Sequence, residues 1–169
     1  MRIHITGNAG SGKSTLASDV GNALGIKVFN LDDVVWQEGW RKTPADERRV
    51  LEKELVSKEQ WIIEGVSDMV RQAADTIVLL DLPRSLCYVR CVKRNWRYLF
   101  RSRPGLPDKC PEIRIIPKLI QIIWRFPKIV RPAIIRDMDS KMAIRLTSQE
   151  EMNHFLIELR HNKIKVLLR

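Results

Sequence analysis

The stretch Gly7-Asn8-Ala9-Gly10-Ser11-Gly12-Lys13-Ser14 narrows what this chain can fold into more than any other. Gly7 and Gly12 enclose four residues and are followed by Lys and Ser, the pattern of a loop that cradles phosphates. Residues 2–6 before it, Arg-Ile-His-Ile-Thr, read as a short strand rich in β-branched side chains. Residues 14–24 after it read as a helix with Leu16, Ala17, Val20, Ala23 and Leu24 on one stripe. Gly7 turns the chain off the strand, and Gly10 and Gly12 leave backbone N–H groups uncovered for phosphate oxygens. The helix start adds free amides and the positive end of its dipole. Lys13 is placed for the β- and γ-phosphates and the Ser14 hydroxyl for Mg²⁺. Gly7, Asn8, Ala9, Gly10, Ser11, Gly12, Lys13, Ser14 and Thr15 are therefore the candidate ATP-binding residues.

The rest of the chain alternates strands with helices, the pattern of a parallel sheet covered on both faces. Gly25 closes the first helix, and residues 27–31 form a second apolar strand ending at Asp32-Asp33. Beyond the carboxyl end of a strand is where α/β sheets bind ligands, and Asp32 is the better candidate of the pair to orient an acceptor. Trp36, Trp40 and Gly39 form a pocket wall or a cover on the core, with Arg41 and Lys42 beside them for an anionic acceptor. Thr43-Pro44 opens a helix running to about residue 57, with Val50, Leu51, Leu55 and Val56 inward and its charges in solvent. Residues 61–63 are a third strand leading into Glu64-Gly65, where the glycine lets phosphate or substrate approach the backbone, and a helix covers 66–73. Residues 76–81 are a fourth, continuously apolar strand. Glu64 and Asp81 both end apolar strands and both suit a metal-associated carboxylate; Glu64 is preferred because a glycine comes directly after it.

Charge is unevenly spread. The 169 residues carry 30 Lys and Arg against 20 Asp and Glu. Residues 84–136 hold fourteen of the cations and just two acids, Asp108 and Glu112, which calls for an anionic partner. Arg90, Arg94, Arg97 and Arg101 recur at four, three and four and share a helix face, a spacing suited to clamping phosphoryl charge. Pro and Gly mark residues 102–108 as loop, and Pro117, Pro127 and Pro132 divide residues 113–137 into short helices. The basic stretch at 97–137 reads as a lid insert within a single domain spanning 1–169. Residues 142–146 are a fifth strand, Ser148 and Glu151 a capping box, and Phe155, Leu156 and Leu159 the inner face of the last helix. Residues 163–167 alternate like a short strand. Three cysteines argue against a disulfide framework, and Cys87 and Cys91, one helical turn apart, read as small core residues. No leader and no apolar run of spanning length is visible, so a cytoplasmic protein with no membrane segment is expected.

These features together resemble the adenylate-kinase-like small kinases, which include nucleoside monophosphate, shikimate and gluconate kinases. The likeness covers nearly the whole chain. The segments Ile3 through Thr15, Leu31-Asp32, Gly39-Trp40, Trp61-Ile62-Ile63-Glu64-Gly65, Leu80-Asp81-Leu82-Pro83-Arg84 and Trp124-Arg125-Phe126-Pro127 are more similar to the bacterial "DNA topology modulation protein" branch of that group. The resemblance implies an α/β three-layer P-loop NTPase fold, with a five-stranded parallel sheet of order 2-3-1-4-5 and a helical basic lid. It implies ATP and Mg²⁺ on residues 7–15, Asp32 at the acceptor, Arg94 and Arg97 reaching ATP from the lid, and Ser14 with Glu64 at the metal. Glu64-Gly65 departs from the Asp-Gly of adenylate kinases, and Val66-Ser67-Asp68 lacks their Phe-Pro-Arg continuation, which argues against AMP as acceptor. The favoured reading is a phosphotransferase moving the γ-phosphoryl group of ATP to a hydroxyl or phosphate acceptor. Lys13, Asp32, Arg94 and Arg97 are its candidate catalytic residues. The alternatives are a P-loop protein that binds nucleic acid through residues 84–136 and a nucleotide-binding regulator without turnover.

Overall fold

In a computed structural model, which describes residues 1–98, 100 and 109–161 but not the side chains of 97 and 112, β1 (Arg2–Gly7) runs through the centre of the sheet. Its parallel neighbours are β5 (Trp61–Glu64) and β6 (Thr76–Leu80). Outside these lie β2 (Val28–Asn30) on β5 and β7 (Met142–Leu146) on β6, also parallel. The order is β2-β5-β1-β6-β7. A separate antiparallel hairpin, β3 (Trp36–Gln37) and β4 (Arg41–Lys42), accounts for the missing numbers. Among the sheet strands alone the order is 2-3-1-4-5, as the resemblance to small kinases implies.

Parallel neighbours require crossover segments, and helices supply them. They are α1 (Lys13–Leu24), α2 (Asp32–Val35), α3 (Ala45–Val56), α4 (Asp68–Ala73), α5 (Arg84–Arg97), α6 (Ile116–Ile129), α7 (Arg131–Met138) and α8 (Gln149–Arg160). Side chains alternate across each strand, so each strand serves two cores. Ile3, Ile5, Ile62, Val78 and Leu80 pack with Leu16 and Val20 of α1, Cys87 and Cys91 of α5, and Met152, Phe155 and Leu159 of α8. On the opposite face Trp61 and Ile63 pack with Val70 of α4, and Ile77 and Leu79 with Phe126 and Ile134 of α6 and α7. Helices thus cover both faces of one sheet.

Local chemistry sets the helix ends. Gly25 closes α1 with its N–H on the Gly21 carbonyl. Ser148 Oγ accepts the Glu151 N–H, and the Glu151 carboxylate accepts the Thr147 N–H at 2.6 Å, a capping box whose return bond lands one residue further out. Three expectations need correction. Pro44, not Thr43, is the N-cap of α3, because its carbonyl accepts the first bond of the helix, from the Arg48 N–H at 2.9 Å. In α3, Leu55 and Val56 pack on the core beside β5 and Leu51 is half-buried, as expected, but Val50 does not turn inward, since the helix also leans on α2 and α4. Val50 is 66% exposed, while Glu52 is buried and accepts from Arg48 Nε and Ser67 Oγ at 2.5 and 2.6 Å. Third, Pro127 does not interrupt α6. Pro117 and Pro132 sit in first turns, where a missing N–H costs nothing, whereas Pro127 lies inside the helix. Helix α4 also starts two residues late, capped by Ser67 Oγ on the Val70 N–H. The strand expected at 163–167 lies outside the described residues.

His4 lies in the middle of β1, fully buried. Its Nε2 donates to the Gly65 carbonyl at 3.1 Å, and Nδ1 has no partner. Burial chiefly, with Arg71, Lys13 and Lys141 nearby, lowers its pKa from 6.5 to about 3. An unfolded chain takes up this proton near 6.5, and the folded one refuses it until about 3. Stability therefore falls as pH drops through that window, at ~1.4 kcal/mol per pH unit at most. Urea titrations at pH 7 and pH 4.5 should show the wild type losing about 2 kcal/mol more than His4→Gln; equal losses would refute the assignment.

Candidate functional site

β1 delivers Gly7 to the carboxyl edge of the sheet, between β5 and β6. The chain then loops over itself into α1, whose N-cap is Gly12. No side chain caps α1 and its first turn holds no acid, so its positive end is left open to an anion. Gly10, at φ 76°, lies so close to α5 that a Cβ there would stand 2.5 Å from the Cys87 carbonyl oxygen. Helix α5 is thus the backing on which the loop rests. Gly65 lines the cavity and serves packing as well. At φ 133°, a Cβ on it would meet Leu31 at 2.8 Å, so the glycine lets β2 and β5 close together at the cavity rim.

The loop faces a cavity of about 730 Å³. Gly7, Ala9, Gly10, Gly12, Lys13, Ser14 and Thr15 line it, as do Asp32, Glu64 and Arg94. Asn8 and Ser11 do not; they are buried beneath the loop and hold its shape from behind. Arg97 ends α5 and its side chain lies outside the described residues, as does Arg101. The Lys13 ammonium donates to the Asn8 carbonyl at 2.9 Å. Burial lowers its pKa, and the charges of Glu64 and Asp32 oppose that shift, so both carboxylates act on the lysine across the cavity. Asp33 is exposed and off the cavity. Asp81 is also off it: Arg131 Nε and Arg145 Nε donate to its carboxylate at 2.9 and 2.8 Å, pinning α7 to β7. Of the two strand-end acids, Glu64 is the one that faces the loop.

Arg90, the expected Trp36, Trp40 and Lys42, and two residues not singled out from sequence, Arg48 and Lys118, complete the site. Arg90 lies across the loop, donating from Nη1 to the Ser11 carbonyl at 3.0 Å and from Nη2 to Gln149 at 2.6 Å. Its place in the arginine stripe was legible, but its seat on the loop was not. The far end of the cavity is walled by Trp36 and Trp40, edge to face with ring centres 5.3 Å apart. Lys118 Nζ sits 4.4 Å from the centre of the Trp36 ring, and its pKa is lowered by burial and by Lys42. Lys42, Arg48 and Lys118 are the cations here; Arg41 instead turns to the Glu38 carbonyl. Arg48 reads as surface in the sequence, and the i,i+4 Glu52 that fixes it was the available signal. Trp40 also ties the hairpin down: its N–H donates to Cys110 Sγ and its Nε1 to the Pro111 carbonyl at 2.9 Å.

No protein-family model matches this chain. YqaC of Bacillus subtilis (strain 168) is 29% identical over 101 residues, which cover 56% of this chain and 57% of that relative. Solved structures share the fold. A shikimate kinase from Acinetobacter baumannii in complex with shikimate aligns over 99% of this chain and 95% of its own, at TM-score 0.61 and 15% identity. A shikimate kinase from Bacteroides thetaiotaomicron gives 0.55 at 17% identity over 99% and 98%. A gluconokinase from Sinorhizobium meliloti 1021 gives 0.54 at 16% identity over 98% and 92%. The chain therefore has the α/β fold of small P-loop kinases.

The packing of the loop on α5 makes a specific demand. Gly10→Ala should fold with a melting temperature lowered by several degrees and should bind pyrophosphate at least 10-fold more weakly by calorimetry, as its Cβ forces the loop off the Cys87 carbonyl. Wild-type affinity in this variant would show that the contact does not shape the cradle.

Proposed function

We propose that this protein is an ATP- and Mg²⁺-dependent small-molecule kinase that moves the γ-phosphoryl group to a hydroxyl or phosphate acceptor. One observation carries the reading: the open N-terminus of α1, Lys13, two carboxylates and two arginines face one cavity whose other end is aromatic and cationic. Phosphoryl transfer asks mainly for positioning and charge neutralisation, and these groups supply both. The loop amides and Lys13 hold the triphosphate. Ser14 and Glu64 fit Mg²⁺, a hydroxyl and a carboxylate at the mouth of the loop, and the ion would neutralise β- and γ-phosphate charge. Asp32, at the end of β2, orients the acceptor. Arg94, with Arg97 at the end of the same helix, balances charge on the group in transfer, and Arg90 holds the shape of the loop. Trp36, Trp40, Lys42, Arg48 and Lys118 receive the acceptor.

The sequence likeness of residues 3–15, 61–65 and 80–84 supports a place nearest the topology-modulation branch, and a cytoplasmic site of action goes with ATP use. Among the described residues no helix is long and apolar enough to cross a membrane. The basic stretch 84–136 does not need a nucleic acid to explain it. Arg90 and Arg94 face the cavity, Arg84 lies over Trp124, Arg131 pairs with Asp81, and Phe126 and Ile134 at the far end of the expected lid are sheet-covering core.

Lys13→Ala should abolish the rise in melting temperature that ATP and Mg²⁺ give the wild type and lower ADP formation at least 100-fold across a panel of hydroxylated acceptors. Undiminished turnover in this variant would end the proposal. Glu64→Gln should weaken the dependence on Mg²⁺ at least 10-fold while Asp81→Asn leaves it intact and lowers only stability; the reverse pattern would move the metal to Asp81.

A further inference from the structure

An α-helical carbonyl is normally taken by the amide four residues on. In α6 the partner for Ile123 would be residue 127, and that residue is Pro127, which has no N–H. The Ile123 carbonyl is instead taken by the phosphate loop: Asn8 Nδ2 donates to it at 3.0 Å, across 115 positions of sequence. Asn8 is 2% exposed, and both ends of its side-chain amide are engaged. Its Oδ1 accepts the Ala9 N–H at 2.8 Å, and its backbone oxygen accepts the Lys13 ammonium at 2.9 Å. Pro127 and Asn8 thus account for each other, since the proline opens a buried acceptor and the asparagine closes it.

The link joins the two halves of the cavity. Helix α6 carries Lys118, Leu119 and Ile122 in the acceptor wall, and Asn8 sits under the loop. We propose that Asn8 is a positioning residue that fixes α6 over the phosphate loop through the carbonyl Pro127 leaves free, so that filling the loop shifts the acceptor wall. This rests on the kinase reading for the identity of the ligand. The amide of Ala9 and the ammonium of Lys13 are the groups a triphosphate would recruit, and both are held by Asn8 when the loop is at rest. Their release leaves the bond to α6 as the main hold on the Asn8 side chain, and the wall responds.

Three variants isolate the link. Asn8→Asp keeps the acceptor for Ala9 but cannot donate to Ile123; Pro127→Ala returns an amide to that carbonyl; the third combines them. Without any nucleotide, Asn8→Asp should lower the melting temperature by about 5 °C alone and by less than half as much on the Pro127→Ala background. Equal losses on both backgrounds would overturn the link, and Asn8→Ala takes the same role should the aspartate variant not fold. Hydrogen exchange then reads the coupling. ATP with Mg²⁺ should alter exchange across residues 116–126 in the wild type, and this response should shrink at least threefold in Pro127→Ala, with ATP affinity kept within threefold. An α6 that responds equally in both, or in neither while ATP binds, overturns the coupling. A wild type that binds no ATP defeats the kinase reading, and the nucleotide-free cycle still decides whether Asn8 holds α6.

Discussion

The structure depends on the burial of the central strand beneath a loop of exposed amides. β1 is hydrogen-bonded on both sides, and Ile3 and Ile5 are 1% and 0% exposed. A strand so placed cannot shift without unpairing two neighbours, so the loop at its end starts from a fixed point. The cradle is then fixed from two more directions, by α5 against Gly10 and by Asn8 against α6. Loops that bind phosphate through backbone amides gain from a backbone held in place before charge arrives. Here packing behind the loop holds it, while the Ala9 amide and the Lys13 ammonium rest on Asn8.

The same arrangement concentrates charge at some cost. Lys13, Arg90, Arg94, Lys42, Arg48 and Lys118 share one cavity with Asp32 and Glu64. The lowered pKa of Lys13 records that cost, because burial penalises its charged form and the two carboxylates recover part of it. Lys118 shows the same effect beside Lys42. A cavity with this excess of cations is completed by an anion, and a ligand that binds the folded state alone stabilises it by mass action. Arg90 is already spent on the Ser11 carbonyl and Gln149, so it works on the shape of the loop, while Arg94 lines the cavity with its Nε on Asn95. The two arginines thus have separate tasks although they share a stripe.

The sequence made the sheet legible because continuous apolar runs such as 76–80 and Gly-bounded helices leave little ambiguity. The alternation of strands with helices pointed to a parallel sheet, and its strand order came from the resemblance to small kinases. What stayed hidden depends on how helices rotate and lean. Glu52 looks like solvent-facing charge because its burial is created by α4 and Ser67, fifteen residues on. Arg48 and Lys118 reach the cavity for the same reason, through the placement of α3 and α6 rather than through local pattern. Pro127 reads as a helix break by propensity, and tertiary contact overrides it, since the cost of its missing bond is met by a side chain from a distant loop.

That last exchange also bears on the two halves of the cavity. The loop end is built on β1, α1 and α5, elements anchored in the larger core. The opposite end is built on the hairpin, α3 and α6: the hairpin rests on smaller contacts, Trp40 on Pro111 and Lys109 on Glu38, while α3 adds Glu52 on Ser67 and α6 is seated in the core through Ile123 and Phe126. Elements held by a few polar contacts open at lower free energy than those held by a buried sheet. The hairpin is therefore the part of this end with most room to adjust, and Lys118 of α6 rests on its Trp36 ring. On the kinase reading proposed above, a rigid phosphate cradle joined to an adjustable wall suits a transfer reaction, because the donor would be aligned by the fold and the acceptor by its own fit.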